Sequence, residues 1–111
     1  MPIWKLPSFA EQPRIPLSRW SIFETQNGSR HFVGVDMLDS SGRVSSAIVR
    51  FDPATMQGTT RSGRIYELVG KNGSSLNAEY VWKKWCELNE VTSYTDVTKR
   101  LLDGATDDDA T

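Results

Sequence analysis

One cysteine, Cys86, and one histidine, His31, are all the sequence offers of those two types, and they bound the chemistry it could do. A nucleophilic cysteine needs its thiolate held by a histidine or a helix N-terminus. Cys86 falls in the middle of a helical pattern beside Trp85, so a packing cysteine is the expectation. His31 follows a turn signal at the start of a strand pattern. As a general base it would need a carboxylate or hydroxyl partner, and the sequence does not single one out. One Cys and one His also fall short of the three or four ligands of a zinc site. Asp36 and Asp39, with Ser40 and Ser41, offer oxygen ligands on a turn, but the calcium-loop order with its closing Glu is missing. Turn chemistry accounts for them. The segment Gly70-Lys71-Asn72-Gly73-Ser74-Ser75 lacks the order of a phosphate-binding loop. The expectation is a non-enzymatic protein with no catalytic residue, no metal and no cofactor.

Binding is the remaining class. The chain holds four Trp, and Trp and Arg are favoured at the energetic centres of interfaces. The candidates for protein contact are Trp4, Trp82, Tyr80, Arg61 and Arg64, with Trp4 and Trp82 expected to be exposed. An alternative is nucleic-acid contact through Arg61, Arg64, Tyr66, Lys83 and Lys84, because Arg can meet phosphate and Tyr can stack on a base. Charge argues against a dedicated nucleic-acid binder. Residues 1–100 carry 13 basic against 10 acidic side chains, and Asp103, Asp107, Asp108 and Asp109 make the end acidic.

The elements that must position these residues follow from pattern. Residues 1–18 read as an extended arm, punctuated by Pro2, Pro7, Pro13 and Pro16. Trp20 to Thr25 and His31 to Met37 read as strands joined by Asn27-Gly28, the strongest short hairpin signal. On the return strand His31, Val33, Val35 and Met37 form the face expected to point inward. After a turn at Asp39 to Gly42, Val44 to Phe51 reads as a third strand. Gly58 to Gly70 reads either as a tight hairpin at Ser62-Gly63 or as one strand bent by a bulge at Gly63, and the bulge is favoured because a hairpin leaves arms of only a few residues.

A helix is expected from Asn77 to about Glu90, capped by Asn77 and stapled by Leu76 against Val81. Ala78, Val81, Trp82, Trp85 and Leu88 fall on a broad stripe of helical spacing, with Trp82 at its edge. The Glu79–Lys83 and Lys83–Glu87 pairs face away at i,i+4. A second short helix is expected from about Asp96 to Leu102, started by Ser93 or Thr95. Residues 104–111 are too polar to pack and read as a disordered tail.

The fold class expected is thus α+β: an antiparallel β-meander of about four to five strands, then a helix and a short second helix. One domain covers residues 19–103. The segments Arg61–Gly70 (RSGRIYELVG) and Ala78–Trp85 (AEYVWKKW) resemble a group of small uncharacterised bacterial proteins, over roughly residues 19–102. The resemblance implies a bacterial or mobile-element origin and carries no activity. Phage and plasmid proteins of this size often act by occupying a partner's surface, which by analogy suggests a regulator or inhibitor.

The single cysteine removes any dependence on an oxidising compartment. No apolar run reaches the roughly 18 residues of a membrane helix, and the first twenty residues do not read as a secretory signal. A cytoplasmic protein is expected, bound to another protein rather than a membrane. It is either a monomer or a homodimer paired through an exposed sheet edge.

Overall fold

The computed structural model describes residues 14–102, so Trp4, most of the expected arm and the acidic tail lie outside the described residues. The chain forms a mixed α+β fold on a mostly antiparallel sheet of seven strands, more than the four to five expected. They are β1 (Arg14–Thr25), β2 (Arg30–Asp36), β3 (Ser41–Val44), β4 (Ile48–Asp52), β5 (Gln57–Thr60), β6 (Ile65–Leu68) and β7 (Tyr94–Asp96). Helix α1 (Leu76–Leu88) lies between β6 and β7, and a short helix occupies residues 98–102.

The hydrogen-bonded order is β3-β2-β1-β6-β5-β4. Its two ends are consecutive in the chain, separated by Ser45, Ser46 and Ala47 alone. In a flat sheet five strand spacings would hold β3 and β4 about 24 Å apart. Three linking residues reach about 14 Å at most. The sheet therefore curls until its ends nearly meet. Counting β3 and β4 as one bent strand, five strands run up and down around this ring. An odd number brings the first and last together in parallel, and β1 pairs β6 in that sense from Arg14↔Ile65 to Leu17↔Leu68. Beyond a bulge between Ser18 and Ser21, the second half of β1 leaves β6 and pairs β7 instead.

Two cores result. Ile15, Leu17, Trp20, Ile22, Phe32 and Tyr66 fill the inside of the ring, with Leu68 and Val97. Val33, Ala78, Trp82 and Cys86 form a second cluster where α1 covers the outer face. Strand β2 serves both. Phe32 points inward, while Val33 meets the helix and His31 packs on Trp85. The expected single buried face is thereby corrected: both faces are buried, and Met37 is exposed in the turn beyond the strand.

Other departures have local causes. Strand β1 begins at Arg14, inside the expected arm. Pro16 is tolerated there because the β1–β2 ladder ends at Leu17↔Asp36, one residue beyond it. Gly63 is not a bend within one strand but part of the β5–β6 turn, with φ +90°. Each arm of that hairpin is only four residues long, yet each is stitched on its far side as well, β5 to β4 and β6 to β1. The expected third strand is broken at residues 45–47. There the Ser45 hydroxyl accepts from Phe32 N–H and donates to the Ser46 carbonyl.

Helix α1 starts earlier than expected. Ser75, not Asn77, is the N-cap, and its hydroxyl accepts from Ala78 N–H at 3.0 Å. Leu76 thus becomes the first helical residue, exposed rather than stapled. At about 100° per residue, the buried seam Ala78, Trp82 and Cys86 leaves Val81 and Trp85 at its edge and turns Leu88 outward. Trp82, expected at the surface, lies on that seam and is 2% exposed. Neither expected i,i+4 pair forms; Lys84 meets Glu87 at 4.0 Å instead. The expected second helix forms over residues 98–102; Asp96, its expected start, belongs to β7, and its side chain accepts from Thr98 N–H.

Gly58 is where ring closure is tightest. A Cβ there would lie 2.3 Å from Phe32 Cζ. Gly58→Ala should destabilise the protein by about 1–3 kcal/mol through overpacking, measured as a lowered urea midpoint with unchanged slope.

Candidate functional site

In the curled sheet the β1–β2 turn, the β3–β4 link and the β5–β6 turn come close together. Arg61 N–H donates to the Ala47 carbonyl at 2.9 Å, and Ser62 N–H donates to the Ser46 hydroxyl at 3.2 Å, which ties two of them together. The C-terminal end of α1 completes the rim with Trp85 and Asn89. Between them lies a cleft of about 470 Å³, within the size range of small-molecule sites. Thr25, Ser29, His31, Arg61, Trp85 and Asn89 are among its walls.

Ser29 and His31 are two apart on an extended segment, so they share a face. The Ser29 hydroxyl lies 2.9 Å from His31 Nε2, and His31 Nδ1 lies 2.9 Å from the Ser45 carbonyl oxygen. A carbonyl oxygen only accepts, so Nδ1 carries the proton. Burial lowers the His31 pKa below its ordinary value, against a smaller raising effect of the hydrogen bonds to the Ser45 and Ser46 backbone. The ring is therefore neutral near pH 7, and its Nε2 accepts. Ser29 must donate to it, which leaves Thr25 to donate to Ser29 Oγ at 2.9 Å. Asn27 N–H donates in turn to Thr25 Oγ1 at 3.3 Å. The result is a one-way chain of hydrogen bonds from Asn27 to Ser45. Trp85 packs on the imidazole with ring centroids 4.5 Å apart, and Trp82 stacks on Trp85 at 5.3 Å.

The sequence-predicted residues do not gather into one surface. Arg61 lines the cleft and makes no ion pair among the described residues. Arg64 is half-buried nearby in the chain. Tyr66 is 2% exposed inside the ring, and Arg43 Nε donates to its hydroxyl at 3.0 Å. A base cannot stack on it, which corrects that part of the nucleic-acid expectation. Trp82 belongs to the core beneath α1. Lys83 borders a separate pocket of about 220 Å³, together with Glu79, Phe23, Trp82 and Tyr94. Lys84 sits 5.8 Å over the Tyr80 ring. Cys86 is buried on the helix seam, and burial pushes its thiol pKa up. Asp36 is buried and Asp39 accepts from Ser41 N–H and its hydroxyl.

What sequence reasoning missed is Ser29 and Trp85 as walls of one cleft. The Ser-x-His spacing on a strand was the available signal. Also missed are Leu76 and Leu88, which are 84% and 83% exposed on the outward side of α1 together with the expected contact residue Tyr80, 62% exposed.

Among the described residues no three His, Cys, Asp or Glu side chains are grouped to hold a metal, and no helix is long and apolar enough to cross a membrane. No protein-family model, curated protein or solved structure matches the chain.

Two outcomes follow from this geometry. Trp82→Ala should cost about 3–5 kcal/mol, seen as a large drop in the denaturation midpoint; an exposed Trp82 would cost almost nothing. Because the folded His31 pKa lies below the unfolded value of about 6.5, the unfolded chain binds more protons between the two values. His31's contribution is thus complete above pH 6.5 or so and declines as pH falls below it. Urea midpoints from pH 7.5 to 5 should decrease, and the decrease should shrink in His31→Gln.

Proposed function

We propose that the protein is a small protein-binding module, a regulator or inhibitor acting by occupying a partner's surface, and that the partner meets the outward side of α1. The observation that supports this reading is the exposure of Leu76, Tyr80 and Leu88 on one 13-residue helix. Exposed apolar side chains scattered singly are ordinary; three large ones on four helical turns are a concentration. Each could contribute about 1.5–3 kcal/mol if fully covered. Leu76 and Tyr80 are i,i+4 neighbours on the same side. Lys84 over the Tyr80 ring restrains it, and a restrained aromatic side chain loses little entropy on binding. The pocket bordered by Glu79 and Lys83 adds a recess of about 220 Å³ that an apolar side chain of the partner would fill, as interface anchors do.

The nucleic-acid alternative rests on fewer groups. With Tyr66 inside the ring it keeps Arg61, Arg64, Lys83 and Lys84 but loses its stacking ring.

The test uses Leu76→Asp with Leu88→Lys. Both charges suit the helix dipole at their own end, so stability should change by no more than about 0.5 kcal/mol. Wild-type protein should retain a partner from extracts of its source cell, or form a dimer by sedimentation, and the double variant should do neither. Undiminished association in the folded variant would rule out this face.

A further inference from the structure

We propose that Ser29 is an activated nucleophile that accepts acyl groups from small anionic esters entering the cleft beside the β1–β2 turn, with His31 as its general base. The site is separate from the outward side of α1, so the failure of either proposal leaves the other standing.

Three observations carry it. The first is alignment. Ser29 Oγ and His31 Nε2 are 2.9 Å apart, and the Nδ1 bond to the Ser45 carbonyl fixes the tautomer that leaves Nε2 able to take the Ser29 proton. A nucleophile, its base and an orienting group for that base are the parts this chemistry needs. Here a backbone carbonyl stands where a carboxylate commonly does. The second is access. His31 is buried, with Trp85 against its ring. Ser29 is only half-buried and lines the cleft. Both residues line the cleft, and the serine is the more accessible of the two. The third is charge. Arg61 is the one cationic side chain among the cleft walls, no acidic side chain accompanies it, and it has no ion-pair partner among the described residues. A carboxylate-bearing ester complements it.

The reaction balances without a further reagent. Ser29 Oγ bonds to the ester carbonyl carbon as its proton passes to His31 Nε2. The tetrahedral intermediate collapses, the bond to the leaving oxygen breaks, and that oxygen takes the proton from His31. Water then attacks the acyl carbon, gives its proton to His31, and releases the carboxylic acid as Ser29 recovers its own. A hairpin lock would use the same hydrogen bonds but would leave Ser29 as inert as any surface serine.

The full chain is incubated with 4-acetoxy-3-nitrobenzoate, an anionic activated ester, and with neutral 4-nitrophenyl acetate. The expected result is acetylation at Ser29, found by peptide mass mapping, and faster with the anionic ester. Arg61→Ala should remove that preference. His31→Gln should slow Ser29 acetylation about 100-fold, a typical general-base contribution. The wild-type rate at Ser29 should plateau above pH 7 and fall on acidification as His31 takes a proton, whereas uncatalysed acetylation of a serine climbs steadily with hydroxide. This profile decides the matter if His31→Gln does not fold. Absence of acetyl at Ser29 together with nitrophenolate release that Ser29→Ala leaves unchanged, a rate that climbs with hydroxide through pH 9, or a folded His31→Gln that is acetylated at the wild-type rate would overturn the proposal.

Discussion

The link between β3 and β4 is three residues long, while the strands it joins stand at opposite ends of the hydrogen-bonded order. Most of the architecture descends from that constraint. The sheet must curl, so it acquires an inside, which Trp20, Phe32 and Tyr66 fill. The curl also brings β1 and β6 into parallel register. It leaves an outer face on β1, β2 and β3 that cannot remain bare, and the apolar seam of α1 covers it. The β1–β2 turn, the β3–β4 link and the β5–β6 turn then come close together, and the cleft is the space they leave.

Two parts of the ring are held by different polar chemistry. Outside the cleft lining, Asp36 is 4% exposed and meets Arg43 at 3.3 Å, and Arg43 also donates to Tyr66. A buried ion pair adds little net stability, but losing one member typically costs about 3–5 kcal/mol. The triad thus ties β2, β3 and β6 together. At the cleft, beneath Arg61, the bonded groups are neutral. Thr25, Ser29, His31 and Ser45 satisfy one another in sequence, so the imidazole is buried without a charge to offset. Neutrality there leaves Arg61 as the dominant field in the cleft.

Much of this was legible locally. Asn27-Gly28 gave the hairpin, and the helical pattern from Ala78 to Cys86 gave α1 within two residues at either end. Other features depend on partners distant in sequence. Pro16 reads as a strand breaker until β6 and the end of the β2 ladder are in view. The arms around Gly63 look too short for a hairpin until each is seen paired on its far side. Trp82 and Leu88 exchange environments because the seam of α1 is set by what β2 and β3 present, and a stripe five residues broad does not reveal its own centre. The cleft was the least legible element. Ser29 and His31 sit together in sequence, but the Ser45 carbonyl that fixes the tautomer and the Trp85 ring that shields it come from elsewhere.

The central claim is that the ring is closed and cooperative, with the cleft as a consequence. Two amides report on its seams: Val69 N–H donates to the Leu17 carbonyl where β6 meets β1, and Arg61 N–H donates to the Ala47 carbonyl beside the β3–β4 bend, both at 2.9 Å. Native-state hydrogen exchange at these two positions tests closure directly. A closed ring predicts that both exchange only through global unfolding, with the same free energy and denaturant dependence as Phe32 in the core. Fast, denaturant-independent exchange at either seam while Phe32 stays protected would show an open sheet and contradict the account.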